Sequence, residues 1–598
     1  MTNYTDRKQI PQSEKWDLTA IYKDQQAFDQ DYAKTAELIE QFKSREADFI
    51  TGSAPFYATL KDAQQIESLL NRLEVYASLF SDLDTGNNEG QILMGRMFKL
   101  YNDFGEASSF MQTAMLKVDD LTLQAWNKEE PGLLDYARTI EKARRFREHT
   151  LTDESEKLIA SMQNAMHSHS RIRSVFANAD LSFGKIRDES GKLVTLTDTN
   201  YVPFLMGSNR NVRRNAFRTL YRTYDQFGNT FASLLNSYIS EKVTMAQVRK
   251  YGSSLEESTF YDEVTPEIYH NLIKTVNAHL GSIYDYYTMK QKLLGIPKLH
   301  LYDVYTPLVS SSHSHYTYDE AVREVLDALK ILGKEYHSTL KQGLTEKHWV
   351  DVWPTPGKRG GAYSSGCYGT EPYILLNFTE TLDDVSTLAH ESGHSMHSYF
   401  SHTNNKEQEA YYTIFVAEVA STVNEILFAH YKLRTSSSKE EKLEVLNQLL
   451  ELYRGTLFRQ TMFAEFEEIA HEKVSNGMTL TKDILNADYY ALVKKYFGPD
   501  VYVDKQIALE WMRIPHFYRF FYVYKYATCI SAASSIVKKI ETQGDSYINQ
   551  YLNFLKCGDS RSPLDSLLVA GIDLRKPEVI EDALNDFESI LKEFKKSI

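Results

Sequence analysis

The sequence predicts a mainly α protein, and three observations carry that prediction. Apolar residues recur at helical spacing through most of the 598 residues. Strand signals, by contrast, are confined to two short stretches. With only 14 Pro and 27 Gly, long floppy joints are excluded, and no repeat, low-complexity tract or Pro-rich linker interrupts the pattern.

In chain order, Ile66, Leu69, Leu70, Leu73 and Tyr76 set one apolar face of an early helix. Phe183 to Leu196, with the turn residues Asp188-Glu-Ser-Gly191-Lys, reads as a β-hairpin. It marks the expected boundary between an N-terminal helical region, residues 1–200, and the remainder, 201–598. Segments from Phe217 to Val248 and from Lys439 to Lys473 return to helical spacing. Pro372 to Phe378 is the second strand signal, bounded by Gly369-Thr-Glu. It is either an edge strand able to pair with an extended peptide through main-chain hydrogen bonds or an internal strand of a small sheet. Gly357-Lys-Arg-Gly-Gly-Ala-Tyr363-Ser-Ser-Gly366 before it is expected to be a flexible loop. It has the spacing of neither a P-loop nor a dinucleotide fingerprint.

The chemistry concentrates in the helix that follows. Thr381 and Asp384 form a capping-box pair, and Leu382, Val385, Leu388 and Ala389 give it a buried stripe. Inside it lies His390-Glu391-Ser-Gly-His394. Residues four apart on a helix lie one above the other, so His390 and His394 are able to present two imidazole nitrogens to one tetrahedral ion. Glu391 sits about 100° around the helix from His390, displaced from chelation but placed to take a proton from water. The pattern predicts a zinc peptidase site, and two ligands require a third.

The third is sought in the next helical segment, Gln408 to Tyr431. Glu418 is flanked by Phe415, Val416, Ala417, Val419 and Ala420, and a carboxylate in apolar company needs a positive partner. Glu425, seven residues on, shares nearly the same face and competes, with a second-shell or solvated role as its other reading. His397 shares the face of His394 but reads as a packed histidine. A metzincin would need Gly at 397 and His at 400, where this chain has His397 and Phe400.

These residues carry a resemblance. His390-Glu391-x-x-His394 followed by Phe415-Val-Ala-Glu418-Val-Ala-Ser is similar to the thimet-type metallopeptidase family, in its oligoendopeptidase F branch. Lys358-Arg-Gly-Gly-Ala-Tyr363, Phe458-Arg-Gln-Thr-Met-Phe-Ala-Glu-Phe-Glu467 and Arg513-Ile-Pro-His-Phe-Tyr518 resemble it too, from about Trp16 to the C-terminal Leu567-Leu-Val-Ala-Gly-Ile-Asp-Leu. Cys529 departs from the pattern, which has a small residue there.

The resemblance implies an elongated helical zinc-peptidase fold with a small β-sheet next to the metal helix and a deep central substrate cavity. It implies one Zn2+ per chain held by His390, His394 and Glu418, with Glu391 as general base, and oligopeptides as substrates. It also implies that a His and a Tyr from the segment 516–526 stabilise the oxyanion. His516 and Tyr522 are assigned, with Tyr524 and Tyr526 as alternatives for the phenol. The glycine-rich loop is implied to close over bound peptide.

Composition fits an intracellular enzyme. A net charge of -14 argues against nucleic acid or an anionic membrane surface as partner. The three cysteines, Cys367, Cys529 and Cys557, are spread without ligand spacing and read as reduced thiols. No apolar signal core and no run of about 18 apolar residues occurs, so the expected location is the cytoplasm. Two other classes share the motif: a non-catalytic helical peptide-binding protein, and a different enzyme using two His and one carboxylate, such as a non-haem iron protein. The glutamate directly after His390 favours zinc, because it has a role in water activation and little in oxygen chemistry.

Overall fold

The computed structural model describes residues 4–309 and 315–598. Its main helices are α1 (Gln25–Phe42), α2 (Ser53–Asp82), α3 (Asn88–Ser108), α4 (Arg210–Gln226), α5 (Gly228–Val248), α6 (Leu382–Asn404), α7 (Ile414–Thr435), α8 (Arg459–Ser475), α9 (Tyr524–Gln543), α10 (Asp545–Leu555) and α11 (Glu578–Ser597). Five short strands accompany them: β1 (Lys185–Arg187), β2 (Leu193–Thr195), β3 (Val350–Asp351), β4 (Tyr363–Ser365) and β5 (Tyr373–Leu375). The protein is mainly α, as the spacing predicts. Among the described residues no helix is long and apolar enough to cross a membrane.

Compactness does not follow the linear order of the chain. Residues 1–150, 314–431 and 536–572 make one compact unit, and residues 151–313, 432–535 and 573–598 make the other.

In the first unit α1, α2 and α3 pack around Phe28, Leu70, Leu73, Leu79, Leu93 and Leu100, all essentially inaccessible to solvent. Ile66, Leu70, Leu73 and Tyr76 point inward from α2, as their spacing predicts. Asn87 caps α3 by accepting from the backbone N–H groups of Glu89 and Gly90. The three-stranded sheet joins the same core through Tyr373 and Leu375. Its order is β3-β5-β4, with β5 parallel to β3 and antiparallel to β4.

This order decides between the two readings of Pro372 to Phe378. β5 is the internal strand, buried at every position, and the edges belong to β3 and β4. The glycine-rich loop is likewise anchored more than expected. Lys358 is wholly buried, with its ammonium 2.8 Å from Asp351 and donating to the carbonyls of Asp351 and Trp353. Arg359 pairs with Asp82 at 3.2 Å. Among the loop's glycines, Gly360 and Gly361 have open space where a Cβ would stand.

In the second unit α4, α5, α8 and α11 carry the core. Asp303, fully buried, takes Arg213 at 2.9 Å and Arg210 at 2.8 Å. The predicted hairpin is present as β1 and β2, antiparallel, and Asp188 Oδ1 accepts from the N–H groups of Ser190 and Lys192 across the turn. Gly191 has φ 86°, a conformation that favours glycine. The helical stretch predicted from Lys439 is interrupted by one π-turn, Arg454–Phe458, before α8 begins.

Candidate metal centre

Helix α6 starts as the sequence dictates. Thr381 accepts from the Asp384 N–H, and Asp384 Oδ2 accepts in return from the N–H and hydroxyl of Thr381 and of Thr379. This double cap fixes the helical phase at its first turn, and His390, Glu391 and His394 follow along one continuous helix.

What brings α7 against α6 is a glycine. A Cβ on Gly393 would lie 2.5 Å from both Ala420 O and Ser421 Cα, so the two backbones touch where no other residue fits. Asn424, completely buried, fastens the crossing: its amide donates to Ala389 O at 3.1 Å and its carbonyl accepts from the Tyr336 hydroxyl at 2.9 Å. The close approach carries Glu418 to the two imidazoles. Its Oε2 lies 3.5 Å from His390 Nε2 and 3.6 Å from His394 Nε2, and all three ligand atoms fall within 4.8 Å of one another. Phe415, Val416, Val419 and Ala420 are buried while the Glu418 side chain keeps 33% exposure, so its carboxylate opens toward solvent.

Glu425 takes the supporting role that was its alternative, with Oε2 at 3.2 Å from His390 Nδ1. His397 is packed as predicted, stacked on Tyr412 at 3.7 Å with the rings 2° from parallel, and burial pushes its pKa down to about 3. Burial lowers the pKa of His390, but the hydrogen-bonding carboxylates of Glu418 and Glu425 outweigh it and raise the ring to about 10. Glu418 is the reverse case: burial raises it, and the two imidazoles hold it well below the carboxylate range. Glu391 is 6% exposed, and its Oε2 has no hydrogen-bond partner among the described residues. Burial raises its pKa against the opposing pull of His390 and His394.

The donor set fits a divalent cation. Two imidazole nitrogens and one carboxylate oxygen are the ligands that catalytic zinc takes, leaving further positions open. The same Glu418 oxygen that faces the imidazoles also accepts from the Ser421 hydroxyl at 3.3 Å. The unpartnered Glu391 oxygen stands in the same helical turn.

The segment 516–526 gathers three of its four candidates. The rings of His516 and Tyr522 are 6.3 Å apart, those of Tyr522 and Tyr526 5.3 Å, and those of His516 and Tyr526 6.1 Å. Tyr524 leaves the group: it is buried against Tyr269, with its hydroxyl 3.4 Å from Asp262. The helix start produces this division: Tyr522 lies just before α9, and Tyr524 and Tyr526, two residues apart on it, turn to opposite sides.

Sequence reasoning missed Asn424 and the Ser364–Ser395 hydroxyl pair, 2.8 Å apart, which ties β4 to α6. Asn424 had a weaker signal than Glu418: an amide between Val423 and Glu425, one residue short of Ile426-Leu427-Phe428.

Comparison with known proteins defines the class. The profile of peptidase family M3 matches residues 204–586, and that of oligopeptidase F matches residues 115–183. The chain therefore belongs to peptidase family M3. It is 40% identical over 588 residues to oligopeptidase PepF of Bacillus subtilis, covering 98% of this chain and 88% of that one. It is 37% identical to an oligoendopeptidase F homolog of Borreliella burgdorferi, over 99% of both. The solved structure of oligoendopeptidase-F from Enterococcus faecium superposes with a TM-score of 0.77 at 35% identity, covering 96% of this chain and 99% of that one. The protein is a peptidase with a helical fold of this kind.

Proposed function

We propose that the protein is a zinc-dependent endopeptidase that hydrolyses internal bonds of short oligopeptides in the cytoplasm. The observation that carries this reading is the convergence of His390, His394 and Glu418 within 4.8 Å, beside an unpartnered Glu391 carboxylate oxygen. Residues 201–598 hold the reacting groups, with residues 1–200 as a helical N-terminal region. Oligopeptide specificity rests on the likeness to oligopeptidase F relatives.

His390, His394 and Glu418 would hold a zinc ion, which would supply Lewis acidity that lowers the pKa of water to about 7 and polarises a scissile carbonyl. Glu425 accepts from His390 Nδ1, which leaves the Nε2 lone pair for the ion that Glu418 also holds. Glu391 takes the proton from the attacking water and returns it to the leaving amine. His516 and Tyr522 donate to the oxyanion, a contribution of about 3 kcal/mol for one such donor. Peptide backbone pairs with the free edge of β4, which gives sequence-tolerant binding.

The test combines two variants with metal analysis. Glu391→Gln retains one metal per chain and loses peptide cleavage by several orders of magnitude, whereas Glu418→Ala loses the metal itself. Digestion of a mixed peptide library, read by mass spectrometry, stops when the metal is chelated and resumes on adding zinc. Wild-type turnover by Glu391→Gln sinks the general-base assignment; iron found in place of zinc in the active enzyme sinks the metal assignment.

A further inference from the structure

The second compact unit contains a cavity of about 340 Å³ that the peptidase reading does not use. Three carboxylates and two cations line it. Glu156 takes both forks of Arg249 at 2.9 Å, and Glu241 takes Lys242 at 3.2 Å. Glu257 is the third carboxylate. It is 5% exposed, it faces the cavity, and its Oε2 has no hydrogen-bond partner among the described residues. A buried carboxylate oxygen left without a partner costs about 1–3 kcal/mol, and more when charged. Ile159, Met245 and Phe520 give the wall apolar area beside the polar Gln163 and His167. Phe520 is held rigidly, its N–H donating to the Tyr238 hydroxyl at 2.7 Å and its carbonyl accepting from Ser258 at 2.9 Å.

We propose that this cavity binds a small organic monocation, an alkylammonium whose charged head meets Glu257 and whose hydrocarbon body lies against Ile159, Met245 and Phe520. Lys242 and Arg249 act on Glu257 as well, but three carboxylates against two fixed cations leave one negative charge in excess. That selects a monocation over an anion or a zwitterion. The volume admits a molecule of several heavy atoms and excludes a folded partner.

Butylammonium is the probe, with 1-butanol and butyrate as neutral and anionic controls, titrated calorimetrically into the metal-loaded full chain. Saturable binding of one butylammonium per chain is expected, with neither control competing. Glu257→Gln, which keeps the shape and removes the charge, weakens binding at least tenfold. Ala160→Trp provides a second arm: Ala160 lines the cavity from an exposed position, so the indole fills the space without disturbing the core and also abolishes binding. Binding that persists unchanged in either variant, or 1-butanol binding as tightly as butylammonium, overturns the proposal.

Discussion

Glu425 Oε2 lies 3.2 Å from His390 Nδ1, seven residues beyond the carboxylate that faces the other nitrogen of the same ring. Two successive turns of α7 therefore grip one imidazole from both sides. The hydrogen bond requires the ring proton on Nδ1, which leaves Nε2 as the free donor atom. Glu425→Gln keeps the shape and weakens the acceptor. Its expected effect is a 10- to 100-fold loss of metal affinity with the fold intact, measured by competition with a chromophoric chelator.

Gly393→Ala tests the helix crossing. The added methyl meets Ala420 O and Ser421 Cα at 2.5 Å, and neither is a flexible group that can step aside. α6 and α7 must separate, which moves Glu418 away from the imidazoles. Metal content falls well below one per chain, with a stability loss of about 1–3 kcal/mol for overpacking. Thermal unfolding and metal analysis read the two effects separately.

Asp351 is the buried centre of a charge cluster, 2.8 Å from Arg7 Nη1 and 2.8 Å from the wholly buried Lys358 ammonium. Burial raises its pKa, but Arg7 and Lys358 dominate and lower it. A depressed carboxylate contributes stability above its unfolded pKa of about 3.9 and loses it as pH falls through the folded value. Asp351→Asn leaves Lys358 without its counter-charge, and a cost of about 3–5 kcal/mol is expected near neutrality. Denaturant titrations at pH 7 and below pH 4 check this, since the gap from wild type narrows in acid.

Glu467 has the opposite sign. It is buried, and burial raises its pKa to about 8 despite the Phe521 N–H that it accepts. Below about pH 4 both folded and unfolded states are protonated and the group contributes nothing. As pH rises toward 8 the unfolded chain ionises and the folded one does not, so stability falls. Glu467→Gln keeps the acceptor for Phe521 and removes this penalty. The variant is expected to exceed wild type by about 2–4 kcal/mol at pH 8 and to match it near pH 4. Equal unfolding free energies at pH 8 exclude the raised pKa.

The candidate site was legible where its information is local. Helical phase, the Thr381–Asp384 cap and the four-residue spacing of His390 and His394 all lie within one stretch of chain, and Glu418 stood out because a carboxylate interrupts an apolar run. The internal position of β5 was not legible. Its parallel partner β3 is two residues long and carries no alternation to read. Lys358 and Arg359, set among glycines, look like a solvated loop until Asp351 and Asp82 come alongside from elsewhere in the chain. Gly393 is unremarkable in sequence because its reason is the backbone of another helix. Tyr522 and Tyr524 are separated by the start of α9, which periodicity alone does not reveal.

The first compact unit is assembled from residues 1–150, 314–431 and 536–572. During synthesis, a chain that has already delivered His390, His394 and Glu418 still lacks the stretch that finishes their surroundings. α10, whose Phe554 lies 5.3 Å from the ring of His397, is translated after both metal-binding helices. The unit that carries the ligands therefore cannot finish folding in the order in which its helices emerge. Peptide-cutting competence waits for residues 536–572 to join.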